Sequence, residues 1–220
     1  MERSAFLARL REQLGRAPAA PLSAHPREPG ERGAVPAFRR PLGDSAAAFT
    51  EEAEALGVQV RRVRPEGVPG FLSEVVAAHG VHRAVVSRDP EVGGVAAALR
   101  ELGVAVDDWD GPAAAAGADL GVTGAAFGIA ATGSLVVAAD RAGGRSVSLL
   151  PPVHAALLPV RSLLATPADL WREMARAFPG GVASQVVVIT GPSRTGDIEL
   201  VLVRGVHGPG HVWVALLDEA

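Results

Sequence analysis

Apolar and polar positions along this chain change period several times, and each change marks an element. Phe6, Leu7, Leu10 and Leu14 fall on one helical face, with Ser4 as a cap and Gly15 as a stop. Residues 17–43 lose that periodicity and carry prolines at 18, 21, 26, 29, 36 and 41, which predicts a linker or extended wrapping arm without a core of its own. Periodicity returns near Asp44. Ser45–Leu56 reads as a helix stopped by Gly57, Val58–Val63 as a strand, and Val68–His79 as a helix closed by Gly80. His82–Ser87 is a strand, Pro90–Leu102 a helix and Val104–Val106 a short strand. This β-α-β-α rhythm predicts a parallel sheet with helices on its faces.

The second half changes character. Leu120–Thr123 reads as a strand end, Gly124–Ala131 as a small-residue turn or short helix, and Ser134–Ala139 as a strand. Asp140–Arg145 is a Gly-rich turn, and Ser146–Leu150 reads as the hairpin partner of the strand before it. Val153–Val160 is a strand holding His154. Thr166 caps a helix from Pro167 to Phe178, with proline at the first helical position and Gly180 after the end. Val182–Ile189, Ile198–Val203 and Val212–Leu217 are strands, the run Gln185–Ile189 reading as buried. The expected fold is therefore α/β: a mixed, mostly parallel sheet flanked by helices over residues 44–220, preceded by a helical and Pro-rich arm over 1–43.

Composition narrows the chemistry. The chain of 220 residues has no cysteine, which removes disulfides, thiol nucleophiles and cysteine ligands for zinc or iron–sulphur clusters. All 21 basic residues are arginines, so Schiff-base and Walker-type lysines are excluded as well. The net charge of −3 carries no nucleic-acid signature. Its distribution is uneven: residues 1–43 hold eight arginines against four glutamates, and the remainder thirteen arginines against twenty acids. A positive arm beside an acidic body suits docking, and the arm has the reach to wrap a second subunit; a solvated arm is the plainer reading. Met1–Arg16 is charged and lacks the apolar core of a signal peptide. The uncharged run Leu120–Ala139 has the length of a membrane span, but its glycines and hydroxyls read as buried loop, short helix and strand. A cytoplasmic protein without a membrane span is the expectation.

Three clusters are candidates for chemistry. Thr123, with Thr132, Gly133 and Ser134, can present hydroxyls and backbone N–H groups to an anion, although small residues also simply allow close packing. His154 lies on an apolar strand, where a lone histidine is more often a hydrogen-bonded core residue than a catalyst. The third cluster is the pair of Gly/Pro-rich loops around Gly191, Ser193, Arg194, Thr195, Asp197 and Glu199, and around His207. There His207 is the candidate acid/base near neutral pH and Asp197 its catalytic partner, with Glu199 as an alternative orienting group. The bland reading of these loops is two turns whose Ser193, Thr195 and Asp197 bond their own backbone. Asp107, Asp108 and Asp110 end a strand around Trp109; such acids can hold a cation, but are more often solvated. His207 and His211 are separated by Gly-Pro-Gly, which forbids a helix, and no metal or other cofactor is expected.

The runs GVTGAAFGIAATGSLVV (121–137), SLLPPVHAALLP (148–159) and ITGPSRTGDIELVLVRGVHGP (189–209) closely resemble the LUD-domain family, in its lactate-utilization branch. FLARLREQLGR (6–16) and the Pro-rich arm are similar to the N-terminus of that family, so the resemblance covers nearly the whole chain. It implies the fold group of sugar-phosphate isomerases and coenzyme A transferases. It also implies participation in the oxidation of L-lactate to pyruvate beside iron–sulphur partner proteins. Ala131 stands where the family usually has glutamate in Ala-Glu-Thr-Gly-Thr, which puts a shared catalytic mechanism in doubt and favours binding.

Three readings follow. The first is an accessory or ligand-binding subunit of a lactate-oxidising system. The second is an enzyme acting on a small anionic metabolite (a sugar phosphate, hydroxy acid or thioester) in a strand-end cleft. The third is a sensor that reports such a metabolite to a partner.

Overall fold

The computed structural model describes residues 44–139, 144–177, 185–195 and 203–218. The expected N-terminal helix and arm, most of the turn at 140–145, Asp197, Glu199 and most of the strand expected at 198–203 lie outside the described residues.

Helix α1 (Ser45–Ala55) starts where Asp44 accepts hydrogen bonds from the N–H groups of Ala46 and Ala47, at 2.9 and 3.3 Å. Ala46, Phe49 and Ala53 form its buried stripe. The chain then runs β1 (Gln59–Val63), α2 (Val68–His79), β2 (Arg83–Val86), α3 (Val95–Glu101), β3 (Ala105–Asp108), α4 (Pro112–Ala116) and β4 (Leu120–Gly124). Next come β5 (Phe127–Ile129), β6 (Ser134–Ala138), α5 (Ser146–Leu149), β7 (Val153–Pro159), β8 (Leu163–Leu164) and α6 (Pro167–Ala177). The described chain closes with β9 (Val186–Ile189), β10 (Arg194–Thr195), β11 (Val203–Arg204) and β12 (His211–Leu217).

The expected mixed, mostly parallel arrangement is present, and its two pairing modes segregate. Six strands form a wholly parallel sheet in the order β1-β12-β7-β4-β2-β3. A second sheet, β8-β5-β6-β9, holds antiparallel pairs of β6 with β5 and β9. Strands β4 and β7 are buried at every position, as strands covered on both faces are. Val153, Ala155, Leu157, Trp213 and Ala215 face one way, against Leu72 and Val75 of α2 and Leu99 of α3. Ala156, Leu158, Val214 and Leu216 face the other way, against Ala46, Phe49 and Ala53 of α1. Val85 meets Ala115 and Val147, which brings α4 and α5 onto the sheet. Leu170 and Met174 of α6 cover Ile129 and Val136 of the small sheet.

Three local expectations are corrected. Ser146–Leu150 is not a hairpin partner: residues 146–149 form α5, with Ser148 Oγ donating to the Arg145 carbonyl at 3.2 Å and Val147 fully buried. The prolines that follow it lack the N–H groups of a ladder. The stretch 124–131 contains strand β5, because Gly128 lets Leu158, Leu163 and Phe49 close over its backbone; a Cβ there would lie 2.6 Å from Leu158 and 2.7 Å from Leu163. Finally, 185–189 is not a buried strand: among the described residues β9 is the last strand of the small sheet, and Val188 is 49% exposed.

Candidate ligand-binding site

From β2 the chain crosses outward through α3 to β3, then returns through α4 to β4 on the other side of β2. That reversal opens a crevice beyond the carboxyl ends of β2 and β4, the place where open α/β sheets bind ligands. Ser87 extends the ladder by donating its N–H to the Val122 carbonyl at 2.9 Å. Its hydroxyl donates to Asp89 Oδ2 at 2.5 Å, and the Gly124 N–H donates to the same oxygen at 3.0 Å. Asp89 is 7% exposed, and a Cβ on Gly124 would lie 2.7 Å from its Cβ, so glycine is required for this approach.

Beside this knot lies a cavity of about 390 Å³. Val86, Val92, Ala96 and Val106 line it on the apolar side; Ser87, Arg88, Asp89, Asp107 and Trp109 line it on the polar side. The Arg88 guanidinium stands 5.5 Å from the Trp109 ring centroid and donates to the Trp109 carbonyl at 3.1 Å. Trp109 is held by its Nε1–H, which donates to Ser146 Oγ at 2.9 Å. Asp107 accepts from Arg83 Nε at 2.6 Å.

Of the sequence-predicted residues, Thr123 and His154 come together on adjacent strands. Thr123 Oγ1 and His154 Nε2 are 2.9 Å apart, both side chains are fully buried, and His154 Nδ1 has no protein partner among the described residues. Burial pushes the imidazole down to about 4, so it is neutral at physiological pH. A Cβ on Gly121, the register partner of His154, would overlap the Val147 carbonyl, so α5 lies directly on the sheet beside the pair.

Thr132, Gly133 and Ser134 come together elsewhere, with Thr190 and Gly191. Ser134 Oγ lies 2.7 Å from Thr132 Oγ1 and 2.9 Å from Thr190 Oγ1, a three-hydroxyl chain. Gly133 takes a φ of 58° against the backbone of Ala53, and Gly191 a φ of 82° against Leu56. Arg194 Nη2 donates to the Leu56 carbonyl. These residues thus gather at the carboxyl end of α1, where the helix dipole favours a cation, and Arg194 caps it. Ala131 sits in the 3₁₀ turn before Gly133, its N–H donating to the Ala165 carbonyl at 3.1 Å.

The two C-terminal loops do meet. Ser193 N–H donates to the Pro209 carbonyl at 2.8 Å, Gly205 N–H to the Ser193 carbonyl at 3.0 Å, and His207 N–H to Ser193 Oγ at 3.4 Å. His207 itself is exposed, and its contact to Ser193 runs through the backbone. Thr195 pairs with Val203 in the β10–β11 ribbon. Asp197 and Glu199 lie outside the described residues.

Sequence reasoning missed two features. One is the cavity above, formed by residues 86–109 of β2, α3 and β3; the acids at 107–110 were its only visible signal. The other is the packing of His79 on His211 and Trp213 beside a cavity of about 230 Å³. The Trp213 Nε1–H donates to His79 Nε2 at 2.9 Å, and the two imidazole centroids are 4.5 Å apart. Burial, then the neighbouring His211, lowers the His79 pKa. With His79 Nε2 accepting from Trp213, the pair does not present two free nitrogens to a metal. Among the described residues no group of three or more His, Cys, Asp or Glu side chains is arranged to hold a metal ion. No helix of the described residues is long and apolar enough to cross a membrane.

A family model described as "LUD domain" matches residues 46–217. The lactate utilization protein C of Anoxybacillus flavithermus is 36% identical over 147 residues, which cover 63% of this chain and 64% of that protein. The lactate utilization protein C of Halalkalibacterium halodurans is 39% identical over 94 residues, covering 42% of this chain and 41% of that protein. The chain thus spans less than two thirds of the length of these curated relatives. The crystal structure of a DUF162 family protein from Deinococcus radiodurans superposes with a TM-score of 0.61 at 21% identity, covering 79% of this chain and 96% of that one, and shares the fold.

Proposed function

The chain belongs to the LUD-domain family, and from that premise we propose that it serves L-lactate utilization as an accessory or ligand-binding component acting with iron–sulphur partner proteins in the cytoplasm. The names of its relatives support the pathway. The absence of cysteine in these 220 residues supports a reading in which any electron-carrying clusters sit on other proteins. The observation that favours binding is the state of the histidine held inside the sheet: His154 is fully buried, bonded to Thr123, and pushed down to about 4. General acid–base catalysis at neutral pH needs a group that titrates near neutrality and can reach the reacting atom. His154 meets neither condition. The Arg194 guanidinium, a natural partner for an anion, is engaged on the α1 carboxyl end, whose partial negative charge opposes an anion. Ala131 in place of the family glutamate points the same way.

The enzymatic alternative draws on the chain of Thr132, Ser134 and Thr190 hydroxyls, which is suited to orienting a small polar substrate. The two readings separate in one assay. Purified protein is incubated with L-lactate and an artificial electron acceptor, alone and with the iron–sulphur components. The proposal expects acceptor reduction only in the mixture; turnover by this chain alone would overturn it.

A further inference from the structure

We propose that His79, Trp213 and His211 form a pH-sensitive latch: it fastens the carboxyl end of α2 to the root of the loop at 205–210, and proton uptake at His79 Nε2 opens it. The latch goes beyond the functional reading above and does not depend on it.

The first observation is the direction of one hydrogen bond. An indole nitrogen only donates, so the Trp213 Nε1–H, 2.9 Å from His79 Nε2, requires a lone pair on that atom. The neutral imidazole therefore carries its proton on Nδ1. A proton on Nε2 would set donor against donor, so the bond and the imidazolium exclude each other. The contact thus has two discrete states.

The second observation is the charge around the ring. From β12, the His211 imidazole lies 4.5 Å from that of His79, tilted by 44°, and the Trp213 ring stands edge-on to His79 at 5.8 Å. From β1, the Arg61 guanidinium stands 5.4 Å from the Trp213 ring centroid, and its Nε donates to Glu74 of α2 at 3.0 Å. Glu54 of α1 also acts on Arg61, so the nearby acids answer the guanidinium rather than the imidazoles. Beyond the end of α1, Arg194 Nη2 would lie 3.1 Å from a Cβ on Gly57, which lines the cavity beside the two histidines. The carboxyl end of α2 favours a cation at His79. Burial first, and His211 second, outweigh it and hold the His79 pKa below its ordinary value. The contact is therefore complete above the ordinary histidine range and is lost as pH falls through the lowered value.

The third observation is position. Gly57, Gln59, His79, His211 and Trp213 line the cavity of about 230 Å³, which gives a released ring space to turn. His211 is exposed and begins β12, directly after the loop at 205–210. Within that loop the Pro209 carbonyl takes the Ser193 N–H, and the Gly205 N–H donates to the Ser193 carbonyl. Opening the latch frees the start of β12 and, through Pro209, the paired loop at 190–195.

The test follows the full chain by nitrogen–proton NMR from pH 8 to pH 5, a range that stops above the His154 transition at about 4. Trp213→Phe assigns the Trp213 indole N–H resonance. That resonance is expected to change in step with the His79 ring, whose high-pH form carries its proton on Nδ1. In His79→Gln, where an amide oxygen accepts without titrating, the indole resonance is expected to stay constant. His211→Gln and Trp213→Phe are each expected to raise the His79 midpoint, the first by removing a like charge and the second by removing a bond to the neutral ring. Below the midpoint the Ser193 and Gly205 amides are expected to exchange about threefold faster or more, after correction for intrinsic rates, in the wild-type chain but not in His79→Gln. Unchanged circular dichroism at pH 8 confirms that each variant folds; if His79→Gln does not, the midpoint shift in Trp213→Phe decides. An indole resonance that stays constant while His79 titrates, the same change in His79→Gln, or an unmoved midpoint in Trp213→Phe would overturn the latch. Loop amides indifferent to the His79 transition would overturn its connection to the loops.

Discussion

The buried His154 and the close-packed Gly133 make the sharpest single-residue predictions. Because folding lowers the His154 pKa to about 4, the unfolded chain binds a proton in a window where the native state does not. Stability therefore falls as the pH drops from about 6.5 toward 4, by about 3 kcal/mol for this one group. His79 acts in the same direction. Urea unfolding at pH 7.5 and pH 4.5 measures the drop, and His154→Leu is expected to remove most of the His154 share. An unchanged pH dependence in that variant would assign the drop to other groups. Gly133→Ala imposes a Cβ at positive φ against the backbone of Ala53 and is expected to destabilise by about 2 kcal/mol or more, read as a lower urea midpoint with unchanged slope.

At the scale of elements, α1 joins the parts. It packs on β7 and β12, receives Gly133 from the turn before β6, and accepts Gly191 and Arg194 at its carboxyl end. Asp44→Ala removes its cap and should cost about 1 kcal/mol in thermal or urea unfolding. The long elements were legible in sequence. Val153–Pro159 and His211–Leu217 are apolar runs of strand length, and Thr166-Pro167 marks the start of α6, where the Thr166 N–H and hydroxyl both donate to Asp169. The short ones were not legible. Phe127–Ile129 is too brief to show a period, and Ser146–Leu149 reads equally as strand or helix until Val147 meets Val85 and Ala115. The loops at 190–195 and 205–210 announced themselves through glycine and proline, and the structure joins them. The cavity at 86–109 carried no comparable signal, because it exists only once β3 pairs beside β2 and α3 packs over them.

The described residues form a parallel sheet clothed on both faces, with a second small sheet attached through α1, β5 and α6. Its chemistry is divided in the same way. The hydroxyls and turns at 132–134 and 190–194 gather at the carboxyl end of α1, while the larger cavity lies between β2, α3 and β3. Such a division suits a component that holds a ligand and works through partners. Native mass spectrometry of gently purified protein, recorded alone and with the iron–sulphur components of the lactate-oxidising system, tests that claim most directly. The account predicts a defined complex with those components. If lactate is oxidised by the mixture while this chain stays free at micromolar concentrations, the role as their component is contradicted.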